Sequence, residues 1–250
     1  MMHILISNDD GWGAKGILTL VKVMRQYGEV TVVAPSGPQS GQSNAMTVGE
    51  PVSLDLVSEA PGLRIYTCSG TPTDCVKLAF HQLFTDRMPD LVCSGINHGD
   101  NGTINVLYSG TMGATFEGTV HGIPSIGWSI CNHDPDADFS EMERWMPELM
   151  RLILAEPYAF GRCWNVNAPA GRIKGIRFTR HCRGYWAKEW KMVEEKPGHM
   201  LFTLAGDYVN LEPEAEDTDQ WACANGYISV CPDSIDMTDY TVLKHLQEHA

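Results

Sequence analysis

The sequence predicts an α/β fold, in which a doubly wound, mostly parallel β-sheet is followed by a β-rich C-terminal extension. Strand-like and helix-like segments alternate as far as Pro169. A strand, a helix and a second strand follow one another within residues 3–34, which is the βαβ unit of a parallel sheet. After Pro169 the pattern becomes typical of antiparallel strands. We therefore divide the chain into an α/β core, residues 1–131, and a second part, residues 132–250, that completes the sheet and adds a β-rich arm.

Local patterns predict each element of the core. Apolar residues recur at helical spacing in residues 14–27, whereas short apolar runs bounded by turn residues mark the strands. Thr71-Pro72-Thr73-Asp74 is a helix start signal, because Thr caps helices and Pro favours their first turn. The predicted core elements are strands at 3–8, 29–34, 90–94 and 124–130, helices at 14–27, 73–84 and from Tyr108–Thr111 onward, and polar loops at 36–44 and 97–102.

The second part is predicted in the same way. A helix is expected at 140–155 and a strand at 164–167. Residues 173–185 and 200–210 have the pattern of antiparallel strands. We expect the acidic stretch 212–219 to be a solvated loop that precedes a last strand at 227–230.

Composition excludes several classes of protein. The chain has 18 Lys and Arg against 31 Asp and Glu, and its formal net charge of −13 is unlike the basic surface of a nucleic-acid binder. An anionic substrate would need local attraction from a metal ion or from backbone amides. The longest apolar runs are strand-sized, so we expect neither a membrane span nor a signal peptide. The 8 cysteines are scattered without a Cys-x-x-Cys pair, which indicates buried thiols in a cytoplasmic protein.

Two adjacent carboxylates lie where the first strand breaks into a turn, in Asn8-Asp9-Asp10-Gly11. Ligands of open parallel sheets collect beyond the carboxyl ends of the strands, so acids at this place indicate a site of chemistry. Carboxylate oxygens are hard donors that suit Mg²⁺, Mn²⁺ or Ca²⁺. Asn, Asp and Gly are also good turn formers, and taken alone the motif fits a structural turn equally well.

Three polar loops each follow a predicted strand, and in a parallel sheet all three emerge at one edge. Asp9 and Asp10 would bind a metal ion by carboxylate, Ser40 by its hydroxyl and Asn97 by its amide oxygen, with water completing six-coordination. No histidine and carboxylate cluster has zinc-like spacing, which disfavours a catalytic zinc site. A purely structural explanation of all the motifs would require three coincidences on one sheet edge.

Ser109-Gly110-Thr111 opens a helix beside these ligands. Free backbone N–H groups and hydroxyls at the positive end of a helix dipole form an anion site, although the same residues make an ordinary helix cap. We place a substrate phosphate at this turn and at Asn97, with Asn8 and Ser40 beside it. Neither a dinucleotide fingerprint nor a phosphate-loop lysine motif follows a strand, which argues against the common dinucleotide enzymes and nucleoside triphosphatases.

In combination these motifs resemble the survival protein SurE family of metal-dependent 5′-nucleotidases. The matching stretches are Ile4–Ile17, Val33–Pro35 with Ser40–Ser43, Gly70–Cys75, Ser94–Asn97 with Gly99, Asn101 and Gly102, Tyr108–Thr111 with Glu117–Gly118, and Asn165–Asn167. They cover most of residues 1–131, and beyond Asn167 the match is limited to Gly226–Val230. The resemblance implies a Rossmann-like core, and a homodimer or a dimer of dimers in which a C-terminal element reaches across to the partner.

The resemblance also implies site residues and a cofactor. Asp9, Asp10, Ser40 and Asn97 correspond to the family's metal ligands for one divalent ion, Mg²⁺ or Mn²⁺, with Ca²⁺ as another hard cation that oxygen donors accept. Ser109-Gly110-Thr111 lies at the family's phosphate position. One stretch departs from the family, because many members carry basic residues before the Ser-Gly pair and this chain has Ser36-Gly37-Pro38-Gln39. That difference bears on substrate preference and on affinity for longer phosphate chains.

The resulting hypothesis is hydrolysis of a phosphate monoester, with nucleoside 5′-monophosphates, and also 3′-monophosphates, as candidate substrates. A metal ion would neutralise phosphoryl oxygens and orient or acidify the attacking water. Asp9 or Asp10 would act as general base, or one of them as nucleophile in an aspartyl-phosphate pathway, and the sequence leaves both open. His98 is either the proton donor to the leaving group, in competition with a metal-bound water, or a structural side chain in a polar loop.

Two rival functions use the same loops. A nucleotide- or metal-binding module would gain thermal stability with nucleotide but release no inorganic phosphate. A metal-dependent glycosyl or nucleotidyl transferase would also place acids after a strand, but it would need an activated sugar or nucleotide donor.

Overall fold

A nine-stranded β-sheet with helices on both faces organises the computed structural model, which describes residues 1–249. The strands are β1 (Met2–Ser7), β2 (Gly28–Pro35), β3 (Leu54–Ala60), β4 (Leu63–Cys68), β5 (Leu91–His98), β6 (Ser125–Ile130), β7 (Arg162–Ala168), β8 (Gly175–Phe178), β9 (Gly184–Ala187), β10 (Trp190–Lys196), β11 (His199–Leu204), β12 (Asp207–Asn210) and β13 (Tyr227–Ser234). The helices are α1 (Lys15–Met24), α2 (Pro72–Gln82), α3 (Gly110–Val120), α4 (Ser140–Ala155), α5 (Asp219–Ala224) and α6 (Tyr240–His249), with a 3-10 helix at Thr103–Leu107.

The order of strands in this sheet is β3-β4-β2-β1-β5-β6-β7-β13-β8. The six strands from β4 to β7 in that order are parallel, whereas β3 and β13 run antiparallel to their neighbours β4 and β7. The chain winds outward from β1 in one direction and then returns to build the other half from β5. This confirms the predicted doubly wound, mostly parallel sheet. It also places the loops after β1 and β5 side by side at the point where the order reverses.

Alternate side chains of β1 explain the two layers of helices. Ile4 and Ile6 face a cluster that includes residues of α1 and α4, whereas Leu5 between them faces a cluster that includes residues of α2 and α3. All three side chains are fully buried, as expected for a strand covered on both faces. The continuous apolar run of β1 therefore suits its position inside the sheet, between β2 and β5.

Gly16 allows α1 to approach the sheet closely. A Cβ atom at this position would lie 1.9 Å from the carbonyl oxygen of Ile96 in β5, a distance that no side chain tolerates. The close approach brings the start of α1 against the end of β5. It fixes the backbone directly before Asn97.

The structure differs from the predicted secondary structure in several places. The hairpin of β3 and β4 was not expected, because residues 54–60 are mostly exposed at the sheet edge and lack a strong apolar pattern. β5 continues to His98 rather than ending at Ser94, because its pairing with β6 resumes at Asn97 after an irregularity. β8 pairs in parallel with β13, whereas β9 and β12 pair antiparallel as predicted. β10 was not predicted, and it pairs antiparallel with β11. Helices α5 and α6 were also missed.

The acidic stretch is only partly the solvated loop that the sequence predicts. Its last residue, Asp219, is 2% exposed and begins α5, where Thr218 caps the helix by accepting a hydrogen bond from the Trp221 N–H. The prediction failed at this end because a histidine 38 residues away in sequence supplies a partner for the buried carboxylate. The division of the chain at residue 131 stays a prediction. In residues 1–249 there is no helix of the length and hydrophobicity that crossing a bilayer requires.

Candidate active site

Backbone hydrogen bonds join the loops after β1 and β2. The carbonyl of Asp9 accepts from the N–H of Gln39 at 2.7 Å, and Trp12 N–H donates to the carbonyl of Pro35 at 3.1 Å. Ser40 is therefore next to a residue that contacts Asp9 directly. The loop after β2 also reaches the start of α3, because the Ser43 N–H donates to the carbonyl of Tyr108 at 3.1 Å. These bonds bring three of the predicted segments together at one sheet edge.

Asp9 is the most buried acid of the site, with 5% of its surface exposed. Its Oδ1 accepts a hydrogen bond of 2.5 Å from the hydroxyl of Thr111, which comes from the first turn of α3. Burial, with a smaller contribution from the charge of Asp10, raises the pKa of Asp9 to about 6 in spite of that hydrogen bond. A carboxylate held in this environment gains stability from a bound cation.

Asp10 faces the end of β5. Its Oδ2 lies 2.9 Å from Nδ1 of His98 and accepts from the His98 backbone N–H at 3.3 Å. The His98 side chain is 10% exposed and packs edge-on against Phe139 at 5.2 Å between ring centroids. Its Nε2 is buried and has no hydrogen-bond partner in the part of the chain that the structure describes. His98 is therefore a partner of Asp10 within the site, rather than a solvated loop residue.

Asn97 is held at the end of β5 beside His98. Its amide nitrogen donates to the carbonyl of Gly99 at 2.7 Å, which leaves the amide oxygen as the atom to bind a ligand. Residue 97 pairs with Ser129 of β6, so its backbone belongs to the sheet and not to a free loop. Asn97 thus offers an amide oxygen on a residue whose backbone is paired in the sheet.

Asn8 and Ser40 have different settings. Asn8 is fully buried, and its side chain donates to the carbonyl of Gly11 at 2.9 Å and accepts from the Gly11 N–H at 3.2 Å. It shapes the turn that presents the two acids, and its predicted contact with phosphate stays a prediction. Ser40 is exposed. Its hydroxyl makes no hydrogen bond within residues 1–249, and its predicted role as a ligand stays a prediction.

The start of α3 faces Asp9 closely. The hydroxyl of Ser109 caps the helix by accepting from the Met112 N–H at 2.9 Å, which leaves the first N–H groups, those of Gly110 and Thr111, outside the helical bonding pattern. A Cβ atom at Gly110 would lie 2.9 Å from Cβ and 3.0 Å from Oδ2 of Asp9. Only glycine lets the helix start come this close to the acid. A phosphate that bound these N–H groups would lie beside the carboxylate pair.

The donor set fits a hard divalent cation. Thr111 binds one oxygen of Asp9 and His98 binds one oxygen of Asp10, so each carboxylate keeps a second oxygen that these side chains do not use. Together with the Asn97 amide oxygen, this gives the all-oxygen set that Mg²⁺, Mn²⁺ and Ca²⁺ prefer. Another cluster, formed by His181, Cys231 and Asp233, has potential ligand atoms within 4.8 Å of one another. It contains none of the predicted ligands.

A cavity of about 460 Å³ lies beside the loop that follows Asn97. Asp100 lines the cavity. Because Asp100 follows Asn97 by three residues, the Cα atoms of the two residues are at most about 11 Å apart. This distance is within the length of one nucleotide. Trp186 and Tyr208 supply an aromatic wall, with ring centroids 5.8 Å apart in an edge-on arrangement. The indole Nε1 of Trp186 donates to Oδ1 of Asn105 at 2.8 Å, which fixes the ring. The cavity has the size and aromatic lining of a small-molecule site.

Six polar residues near the site received no individual role from the sequence. They are Asn101, Asn165, Asn167, His181, Asp219 and Asp233, and the structure joins them in one hydrogen-bonded network. Asn165-Val-Asn167 placed two amides on one face of a predicted strand, and that signal was present in the sequence. Nothing local identified the other partners, because they come from distant segments.

Comparisons with known proteins identify the family of the chain. Residues 4–188 match the model of the family described as survival protein SurE. A protein of Bacteroides fragilis named 5′-nucleotidase SurE is 46% identical over 98% of this chain and 96% of its own length. A protein of Phocaeicola vulgatus with the same name is 47% identical over 98% of this chain and 95% of its own. The crystal structure of the SurE protein from Aquifex aeolicus superposes with a TM-score of 0.83 at 32% identity and covers 99% of both chains.

The family model covers most of the sheet and the whole set of predicted ligands, and the relatives extend the similarity through the β-rich second part. The chain belongs to the survival protein SurE family.

Proposed function

We propose that this protein is a divalent-metal-dependent 5′-nucleotidase, which hydrolyses nucleoside 5′-monophosphates to nucleoside and inorganic phosphate. The observation that carries the proposal is the contact between the start of α3 and the Asp9 carboxyl, since it sets a phosphate-binding helix terminus against a pair of acids. The relatives named 5′-nucleotidase SurE support the same activity over nearly the full chain. We include nucleoside 3′-monophosphates as further substrates.

One divalent ion would be held by Asp9, Asp10 and Asn97, with Ser40 as a fourth ligand. When bound, it would supply charge neutralisation at the phosphoryl oxygens and a water of lowered pKa. Burial and the negative charge of Asp10 raise the pKa of Asp9, so cation binding and loss of the Asp9 proton favour each other.

The protein's own groups hold the rest of the substrate. The N–H groups of Gly110 and Thr111 would bind phosphate oxygens at the positive end of α3, and the Asn97 amide would orient the phosphoryl group. Asp10, which is the less buried acid, is our candidate general base for water. His98, whose Nδ1 lies 2.9 Å from Oδ2 of Asp10, is our candidate proton donor to the leaving alcohol.

We place the nucleoside in the cavity beside Asp100. Its volume of about 460 Å³ suits a base and ribose, and Trp186 offers a fixed aromatic ring to a base. Gln220 and Asn105 also line the cavity and present amide groups there. This placement predicts that the base contributes to binding of the substrate and not to the chemical step.

We also propose a homodimer or a dimer of dimers, in the cytoplasm. None of the residues of α6 is buried, and the hairpin of β10 and β11 exposes apolar side chains such as Trp190, Met200 and Leu204. Surfaces of this kind mark protein interfaces. All 8 cysteines are free thiols, which suits a reducing compartment.

The proposal is tested by phosphate release from a panel of nucleoside 5′- and 3′-monophosphates. Protein stripped of metal should release little phosphate, and added Mn²⁺ or Mg²⁺ should restore release with 5′-monophosphates as the best substrates. If folded protein released no phosphate with any metal but gained thermal stability from nucleotide, the binding-module alternative would replace the enzyme. Transfer that required an activated donor would favour the transferase alternative.

A further inference from the structure

A buried polar network connects the C-terminal part of the chain to the loop that follows Asn97. His181, in the connection between β8 and β9, lies between two carboxylates: its Nδ1 is 2.7 Å from Oδ2 of Asp219, and its Nε2 is 2.7 Å from Oδ1 of Asp233. The two acids are 2% and 6% exposed at the side chain. A single histidine thus bridges the start of α5 and strand β13.

Each of these acids also binds the loop after Asn97, directly or through one more residue. Oδ2 of Asp219 accepts from the backbone N–H of Thr103 at 2.6 Å. Oδ2 of Asp233 accepts at 3.2 Å from the amide nitrogen of Asn165, and that nitrogen donates to the carbonyl of Asn101 at 2.8 Å. The histidine therefore holds the loop at two points through its two partners.

Asn101 is fixed on its other side as well. Its N–H donates to Oδ1 of Asn167 at 2.8 Å, and its side chain donates to the hydroxyl of Ser129 in β6 at 2.8 Å. The backbone of Thr103 has a φ of +53°, in the left-handed region that few residues other than glycine adopt. A conformation of this kind persists only where the surroundings impose it. The network supplies those surroundings.

A charge on His181 would balance the two buried carboxylates of the network. Burial alone would lower the pKa of His181, but hydrogen bonds with Asp219 and Asp233 outweigh burial and raise it to about 12. The residue is therefore an imidazolium that lies between two buried carboxylates. Without that cation, the two acids would be left buried without their counter-ion, an arrangement that proteins avoid.

We infer that His181 is a positioning residue of the active site, which acts through Asp219 and Asp233 to fix the segment 99–103 and thereby to place Asn97 for metal binding. The role of Asn97 in this inference rests on the proposed function. His181 touches neither the proposed metal nor the substrate, and the site at the ends of β1 and β5 is completed from the second part of the chain. The cluster of His181, Cys231 and Asp233 is an ion-pair network, because both imidazole nitrogens already bind carboxylates.

The test compares His181→Gln with a matched control, Glu117→Gln. Like Asp219 and Asp233, Glu117 is a buried acid with a histidine partner, but it lies on α3, outside the network. Its carboxylate accepts from Nζ of Lys77 at 2.8 Å and lies 3.2 Å from Nε2 of His121. Both variants remove a buried charge interaction, so both are expected to lower the melting temperature. Only the histidine variant should change the loop and the metal site.

Two readouts separate positioning from general destabilisation. Amide hydrogen exchange of the segment 99–105, measured in metal-free protein, should become at least tenfold faster in His181→Gln and stay within twofold of wild type in Glu117→Gln. The dissociation constant for Mn²⁺, measured by electron paramagnetic resonance without substrate, should rise at least fivefold in His181→Gln. The kcat of the same variant at saturating Mn²⁺ should stay within threefold of wild type, since the catalytic groups remain.

The inference is overturned if His181→Gln loses stability while exchange of the segment 99–105 or the Mn²⁺ dissociation constant stays at the wild-type value. If His181→Gln does not fold, Asp233→Asn takes its place, because it removes one carboxylate and keeps the bond from Asp219 to Thr103. Wild-type protein that bound no Mn²⁺ and released no phosphate would contradict the proposed function instead. The exchange measurement would still decide whether His181 fixes the loop.

Discussion

In the metal-free protein, the ionised form of Asp9 is unfavourable. Its pKa rises from 3.8 to about 6 because the carboxyl is buried and lies beside Asp10. The protonated form is favoured in the folded state, so its contribution to stability is fully present below pH 3.8 and is lost as pH rises through about 6. A shift of this size corresponds to roughly 3 kcal/mol of stability lost by pH 8. A bound cation would recover much of that loss.

The variant Asp9→Asn is therefore expected to be more stable than wild type when no metal is present. An amide keeps an oxygen for the Thr111 hydroxyl and removes the buried charge. Urea unfolding of the metal-free proteins should show a gain of up to about 3 kcal/mol at pH 8 that disappears at pH 4. Phosphate release by the variant with added metal should fall at least about 100-fold, the scale for loss of one group that stabilises developing charge.

Equal stability of Asp9→Asn and wild type at pH 8 would contradict this account of the acid. A variant that kept full turnover at low metal concentration would remove Asp9 from the metal site.

Gly110 sets the distance between helix α3 and the acid pair. A methyl group at this position would meet Cβ and Oδ2 of Asp9 at 2.9 and 3.0 Å and Cγ of Pro72 at 3.2 Å. We expect Gly110→Ala to push the helix start away and to lower kcat/KM at least about tenfold. The control is Gly13→Ala, since Gly13 has no atom within 4 Å of an added Cβ. Equal activity of the two variants would show that the close approach of α3 has no function.

The variant Trp186→Ala tests the proposed placement of the nucleoside in the cavity. Stacking of a base on an aromatic side chain is worth about 1–3 kcal/mol, so Trp186→Ala should raise the KM for adenosine 5′-monophosphate by about tenfold. Hydrolysis of ribose 5-phosphate, which has no base, should be unchanged. Phe178→Ala serves as control, because Phe178 is 61% exposed on β8 and does not line the cavity. A parallel loss on both substrates would place the effect of Trp186 on the phosphate site.

At the scale of elements, strong local signals located several elements well. The predicted helix at residues 140–155 coincides with α4, and the start signal at Thr71 is a capping box with Asp74. The prediction that Asp9, Asp10 and Asn97 lie at one edge followed from parallel strand order, because the ends of adjacent strands share an edge. The contact of Thr111 with Asp9 did not follow from strand order, because Thr111 lies at a helix start. The irregular pairing that extends β5 to His98 has no equally clear local signal.

Elements that depend on distant partners were not predictable. The bonds of His181 to Asp219 and Asp233 join residues 38 and 52 positions apart, so no spacing in the sequence announces them. The acidic stretch looked solvated because only the folded chain places a cation beside Asp219. The exposed helix α6 was also missed, and none of its residues is buried in the part of the chain that the structure describes.

Helix α6 carries the prediction about assembly. Leu243 and Leu246 are 38% and 58% exposed, and we expect them to be covered by a partner chain. The double variant Leu243→Glu, Leu246→Glu should reduce the molar mass measured by light scattering, to that of a single chain if α6 is essential to the assembly. Gln247→Glu adds charge to the same helix at a polar position and should leave the mass unchanged. A wild-type protein with the mass of a single chain would contradict the proposed dimer.

At the scale of the whole molecule, the sheet order concentrates the chemistry at one edge. β1 and β5 are neighbours where the winding reverses, and their ends carry Asp9, Asp10 and Asn97. The net charge of −13 makes the surface unfavourable for anions, so a nucleotide must be attracted locally. The second part of the chain contributes the wall of the cavity and the network that holds the loop after Asn97.

The central claim is that one divalent ion at Asp9 and Asp10 makes this edge of the sheet a nucleotidase. Its most direct test is a titration of metal-stripped protein with Mn²⁺, in which bound Mn²⁺ and phosphate release from adenosine 5′-monophosphate are measured in the same samples, for wild type and Asp10→Asn. We predict that release in wild type rises in proportion to the first equivalent of bound Mn²⁺, and that Asp10→Asn loses both together. Full activity without metal, or Mn²⁺ binding that Asp10→Asn leaves unchanged, would contradict the claim.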